Sequence, residues 1–262
     1  MVTRRLVWLL TGLLVVGLPL AAAAQRGGGF GRFFGGGRAR VMPNAEYDGR
    51  FILARVRYQG YGSWSADYPD MERNLTEMLQ ELTSIRPNIA ETNVYTLDDP
   101  DLLKYPVIYL TEPGSWYPTE AEAEGLRAFL AKGGFLIVDD FFDPYNHFGR
   151  EWQVFEYGMR QVLPAAQIHE LDRDHPIFNS FFEIESLRVP YPGRWGEAGL
   201  MGEFYGIYED NDPTKRLSVV INYNMDLGDY VEWAQSGRAY SFEPTNEAYK
   251  FMINYVLYGL SR

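Results

Sequence analysis

The sequence predicts an α/β domain built on a doubly wound, mostly parallel sheet. Three observations carry that prediction. Residues 107–110 (VIYL) and 135–138 (FLIV) are apolar at every position, as strands buried on both faces of a helix-covered parallel sheet are. Segments with apolar residues at helical spacing stand between runs of β-formers, the alternation that βαβ units produce. No Cys is present in 262 residues, so a core rather than disulfides must hold the fold, and the length suffices for one.

The first 24 residues read as a cleavable signal peptide. Arg4 and Arg5 form a basic region, residues 6–20 an apolar one, and Ala22, Ala23 and Ala24 supply the small residues a signal peptidase needs. Cleavage near Ala24 predicts a periplasmic or secreted protein with no stable membrane span. Residues 25–45 are a Gly/Arg-rich tether whose glycine density opposes packing. Residues 46–262 form a single domain.

Within that domain, residues 51–58 (FILARVRY) are the first strand. Asp70 caps a helix with Met71, Leu75, Met78, Leu79 and Leu82 on one face. Residues 93–97 and 107–110 are strands. Thr119 and Glu122 form a capping box, and the helix they open ends at Gly133-Gly134. The strand at 135–138 stops at Asp139-Asp140 and should lie centrally. A helix over 151–163 buries Trp152, Phe155, Met159, Val162 and Leu163. Residues 167–171 are a strand, 204–209 and 217–222 pair antiparallel at an edge, and a last helix carries Ala248, Phe251, Met252, Tyr255 and Val256 before Gly259 ends it. The outline is flavodoxin-like.

Ligands of doubly wound sheets sit outside the carboxyl ends of the strands. Those loops are rich in carboxylates and aromatics: Trp64 and Asp67 after the first strand, Glu112 and Trp116 after 107–110, Asp139, Asp140 and Tyr145 after 135–138, and Asp226 and Asp229 after 217–222. Trp64, Asp67, Glu112, Trp116, Tyr145 and Asp226 are the candidate ligand-binding residues. The combination suits neutral sugars, cationic ligands or metal-assisted chemistry, although the same aromatics can close the loops as a small core. Asp139 and Asp140 are the sharpest signal, because adjacent carboxylates at the end of a buried strand need partners. Alternating side-chain directions should send one into the crevice, Asp140 by preference. With His175, in Asp-His-Pro, they are the candidate catalytic residues; the identity of any metal is open.

Several classes are excluded. Without Cys there is no Cys–His nucleophile, and no Gly-x-Ser-x-Gly elbow occurs. The glycines at 27–37 do not lie between a strand and a helix, so no nucleotide fingerprint is present and no cofactor is expected. The chain carries −11, and removing the six arginines of the leader and tether (Arg4, Arg5, Arg26, Arg32, Arg38, Arg40) leaves −17. Such a surface repels phosphate backbones, so nucleic acid is not a partner.

Arg57-Tyr58, the stretch from Asp70 to Leu75, LLKYPVIYL, LRAFLAKGGFLIVDD, DHPIF and INYVLYGL follow one another along residues 50–262. In that order they resemble the bacterial family named domain of unknown function 4159. More distantly they resemble the class I glutamine amidotransferase-like superfamily and its trehalose-utilisation-type branch. The resemblance implies a flavodoxin-like, glutamine amidotransferase-like fold and carries no activity with it. Where the amidotransferases hold a nucleophilic Cys after the strand matching 135–138, this chain holds Asp139 and Asp140, so glutaminase activity does not carry over. Two function classes stay open. One is a non-catalytic module binding a small molecule, a sugar or a protein at an acidic-aromatic cleft. The other is a carbohydrate-active or metal-assisted enzyme using Asp139, Asp140 and His175.

Overall fold

The computed structural model describes residues 41–59, 63–89, 92–235 and 241–261. The expected signal peptide and most of the expected tether lie outside them. Seven strands form one sheet: β1 (Ala54–Val56), β2 (Asn93–Tyr95), β3 (Val107–Thr111), β4 (Phe135–Asp139), β5 (His169–Glu170), β6 (Glu203–Tyr208) and β7 (Leu217–Tyr223). Their order is β2-β1-β3-β4-β7-β6-β5. The pairings from β2 to β7 are parallel, and β6 and β5 add antiparallel.

Alternation along β4 divides the interior in two. Phe135 and Ile137 face one core, with α1 (Asp70–Leu82) and the long α6 (Phe242–Ser261) supplying Met71, Leu75, Leu79, Phe251 and Tyr255. Leu136 and Val138 face the other, under α2 (Glu120–Ala131) and α3 (Arg150–Val162), which supply Leu126, Phe129, Trp152 and Phe155. Every residue of β3, β4 and β7 is buried, as a sheet sandwiched between helix layers requires.

Local chemistry sets the helix ends. The capping box closes as expected: the Glu122 N–H donates to Thr119 Oγ1 at 3.2 Å, and the Thr119 N–H donates to Glu122 Oε2 at 2.8 Å. After α2, Gly133 takes φ +100°, and a Cβ on Gly134 would fall 2.3 Å from the Phe129 ring, so both glycines are required there. Asp70, expected as a cap, is instead the first residue of α1, where its carboxylate still favours the helix dipole. Gly259 does not end α6. It lies inside the helix, where a Cβ would meet Val107 and Phe135 at 2.8 and 2.9 Å, so a bare Cα lets α6 press onto β3 and β4.

The sheet departs from expectation at its edges. β1 and β5 are shorter than residues 51–58 and 167–171. β6 and β7 pair antiparallel, yet β7 is not at an edge. Its seven buried residues fill the interior beside β4, and β5 is outermost. On the opposite side Asn44 and Ala45, expected in the tether, are tied to β2. Asn44 Nδ2 donates to the Val94 carbonyl, and its Oδ1 accepts the Val94 N–H. The Ala45 backbone exchanges two bonds with the Asn93 side chain. No helix among the described residues is long and apolar enough to cross a membrane.

Candidate functional site

At the carboxyl end of β4, Asp139 and Asp140 have opposite surroundings. Asp139 is wholly buried and well partnered. Its carboxylate accepts from the Tyr109 hydroxyl at 2.8 Å, from Asn222 Nδ2 at 2.9 Å and from the Gly228 N–H at 2.9 Å. Tyr255 in turn donates to Asn222 Oδ1. Burial raises the Asp139 pKa, and these donors oppose the rise. Asp139 therefore ties β3, β4 and β7 to the start of a short helix, α5 (Leu227–Glu232).

Asp140 has a left-handed backbone, φ +61°, and its N–H donates to the Met225 carbonyl. Asp140 is 8% exposed. It has a long contact from Thr111 Oγ1 at 3.4 Å, and an Asp226 oxygen lies within 4.8 Å of it. Burial, then Glu112, Asp229 and Asp139, hold Asp140 well above the usual carboxylate range.

Further carboxylates converge on this point. Asp226 is 5% exposed and caps α5 by accepting the Asp229 N–H at 2.7 Å. Asp67, also left-handed at φ +60°, presses against α5 so closely that a Cβ on Gly228 would fall 2.4 Å from its Oδ2. That oxygen is sealed from solvent and accepts no hydrogen bond. Asp67, Asp140 and Asp226 form one group whose oxygens lie within 4.8 Å of one another, and Asp67, Asp229 and Glu232 form a second. Burial and mutual repulsion raise Asp67 and Asp226 strongly. Glu112 is pushed up to about 7 by burial first, then by Glu151 and Asp229.

Below the group, Arg55 of β1 is fully buried. It pairs with Glu72 of α1 and donates to the Trp64 and Ala66 carbonyls, so it anchors the loop that presents Asp67. Its guanidinium lies 4.9 Å from the Tyr109 ring centre. To one side stands Tyr191, whose hydroxyl is held far above its ordinary value by burial and by Asp140, Asp226, Asp229 and Glu112. Phe142 lies 4.4 Å from Tyr191 and 6.0 Å from Trp195.

Of the residues expected at a site, Asp67, Glu112, Asp140 and Asp226 come together, with Asp139 beneath them. The expected open cleft is instead a largely closed acidic cluster. Trp64 is half-buried and contributes its carbonyl rather than an open ring face. Trp116 is not available to a ligand: it is wholly buried against Gly158 of α3, where a Cβ would fall 2.7 Å from the indole. Tyr145 is 83% exposed and meets Trp195 edge-on. His175 does not join Asp139 and Asp140. Its ring lies about 6 Å from Tyr208 and Tyr258, and the Tyr258 hydroxyl accepts the N–H of Leu217, where β7 begins. Asp139 is level with Asn222, five residues further along, or about 16 Å at strand rise. A groove of about 780 Å³ between α3 and β6, lined by Trp152, Met159, Tyr205 and Ile207 among others, shares no residue with the cluster.

Sequence reasoning missed Glu232, Tyr191, Arg55 and Glu72 and left Asp229 out of the candidates. Asp226, Asp229 and Glu232 follow at intervals of three, which puts the latter two on one face of a helix. Arg55 sits at the centre of an otherwise apolar strand, a buried charge that asks for a partner.

Residues 52–260 match the family described as a domain of unknown function (DUF4159). The chain belongs to that family. None of the curated proteins matches it. The DUF4159 match runs from just before β1 almost to the end of α6, so all the carboxylates of the cluster belong to the shared domain.

Proposed function

We propose that the domain is a non-catalytic binding module and that its ligand is a small cation held at the acidic cluster. One observation carries this reading: Asp67, Asp140 and Asp226, from three separate loops, bring oxygens within 4.8 Å of one another. Three carboxylates so close, two of them buried, cannot all be ionised unless something positive joins them; otherwise they take up protons. Asp140 and Asp226 are more than nine-tenths buried, so what reaches them is small. Neutral sugars bring no charge to offset the repulsion. Thermal-shift titration of the protein with Mg²⁺, Ca²⁺, Mn²⁺, spermidine and a panel of neutral sugars tests the reading. Stabilisation by a cation and not by sugars is expected, weakened in Asp226→Asn. No cation effect at any pH from 6 to 8 overturns it.

A second reading rests on Glu112. A carboxyl pushed up to about 7 beside such a cluster has the proton affinity of a general acid or base at neutral pH. Metal-assisted hydrolysis would use it with Asp140, and turnover lost in Glu112→Gln with cation binding intact would favour this reading.

We also infer export. Its support is the order of basic, apolar and small residues over 1–24; N-terminal sequencing of the mature protein should begin near Gln25. For the finer fold assignment, flavodoxin-like and related to the amidotransferases, the support is the parallel order β2-β1-β3-β4-β7.

A further inference from the structure

We infer that the cluster is a two-cation centre, with Asp67 bridging a pair of divalent ions. This rests on the cation-binding reading above and names its ligand. The carboxylates form two groups of three that share only Asp67. One is completed by Asp140 and Asp226, the other by Asp229 and Glu232 of α5. Opposite oxygens around one Mg²⁺ stand about 4.2 Å apart, and around one Ca²⁺ about 4.6–5.2 Å. The oxygens of each group lie no more than 4.8 Å apart, a spread that one such coordination sphere can draw together, so each group can hold one ion. Oxygens of all five residues do not lie within 4.8 Å of one another, so one ion does not use them all. A carboxylate has two oxygens, so Asp67, the one residue common to both groups, can give one to each ion.

An independent observation points the same way. Asp67 Oδ2 is sealed from solvent and accepts no hydrogen bond, a costly state for a buried oxygen unless a ligand completes it. It is not misplaced by a loose loop, because the Trp64 and Ala66 carbonyls on either side of Ser65 are held by Arg55, which is itself locked by Glu72. The donors are all oxygens, which selects hard ions such as Mg²⁺, Mn²⁺ or Ca²⁺ over thiophilic or imidazole-seeking metals.

The test is stoichiometry on the mature protein, stripped with EDTA and titrated by calorimetry with Mn²⁺, Mg²⁺ or Ca²⁺ alone. Two ions per chain are expected. Asp67→Asn should weaken both by tenfold or more, Asp226→Asn one, and Glu232→Gln the other, with circular dichroism and melting curves confirming that each variant folds. Electron paramagnetic resonance of the Mn²⁺-loaded wild type needs no variant: an exchange-coupled pair is expected, and an isolated-ion spectrum at saturation overturns the bridge. One ion per chain, or Asp67→Asn leaving one ion bound with unchanged affinity, also overturns it. Binding of spermidine but of no divalent ion sinks the two-cation centre and leaves the cation-binding reading standing. Binding of neither sinks both.

Discussion

At Asp139 three donors converge on one carboxylate: Tyr109, Asn222 and the Gly228 N–H. Asp139→Asn turns one accepting oxygen into a donating NH₂ that faces a donor, so it should cost about 1–3 kcal/mol in urea denaturation and leave cation affinity near wild type in the folded fraction. Asp140 has like charges around it and only a 3.4 Å contact from a hydroxyl. Asp140→Asn removes repulsion, so stability should hold or rise while cation binding falls. Equal destabilisation by both changes would contradict this division of labour. Glu112 sets a pH dependence of definite sign. Its folded-state pKa is about 7 against an ordinary 4.5. Between those values the folded protein keeps a proton that the unfolded chain has released, so stability falls as pH rises through this window. Asp67, Asp140 and Asp226 are raised in the same direction. Glu112→Gln should therefore flatten the slope without abolishing it, measured as urea midpoints from pH 4.5 to 7.5 in EDTA.

Elements fix where these residues stand, and their legibility in sequence follows from their burial. β3, β4 and β7 read clearly because both faces are buried and, Ser218 of β7 apart, no polar residue interrupts the run until Asp139, Thr111 and Asn222 at the sheet's carboxyl edge. The box at Thr119 and Glu122 read clearly because capping is local. α5 did not: six residues, LGDYVE, are too few to show a helical period, and that helix carries Asp229 and Glu232. Trp116 was misassigned because an aromatic just after a strand can face solvent or core, and only the approach of α3 at Gly158 decides. His175 stands apart from Asp139 and Asp140, beside Tyr208 and Tyr258, a placement that its Asp-His-Pro setting in sequence does not reveal. Arg55 shows most clearly how an element serves the site. It lies in β1, pairs with α1 through Glu72, and holds the carbonyls of Trp64 and Ala66. Arg55→Met leaves Glu72 buried without its partner and should cost about 3–5 kcal/mol. The double change Arg55→Met/Glu72→Met should recover part of the stability but not cation binding, because the loop bearing Asp67 has lost its anchor. Calorimetry on the double variant checks this; wild-type binding there would remove Arg55 from the site's support.

For the whole molecule, the sheet has two edges, and the chain treats them differently. On one side β6 and β5 extend the parallel body with antiparallel strands, ending in a β5 of only two residues, so little strand is left to pair with another chain. On the other side β2 is three residues long, and Asn44 and Ala45 cover it with four hydrogen bonds to Asn93 and Val94. Those two residues look like linker in sequence, since nothing in Pro43-Asn44-Ala45 has a strand's pattern; their role comes from the side chain of Asn93, which faces them across a gap of 48 residues. A chain beginning at Val41 should match the mature protein in stability and in cation binding. A chain beginning at Glu46 loses all four bonds, each worth about 0.5–1.5 kcal/mol, and its unfolding free energy from urea denaturation should fall by about 2–6 kcal/mol. It also bares the outer edge of β2, so it should associate at concentrations where the longer chain stays monodisperse by light scattering. Its cation affinity should not change, because β2 contributes no carboxylate to the cluster. Equal stability of the two chains would mean that water replaces those bonds without loss, and the domain would then begin at residue 46.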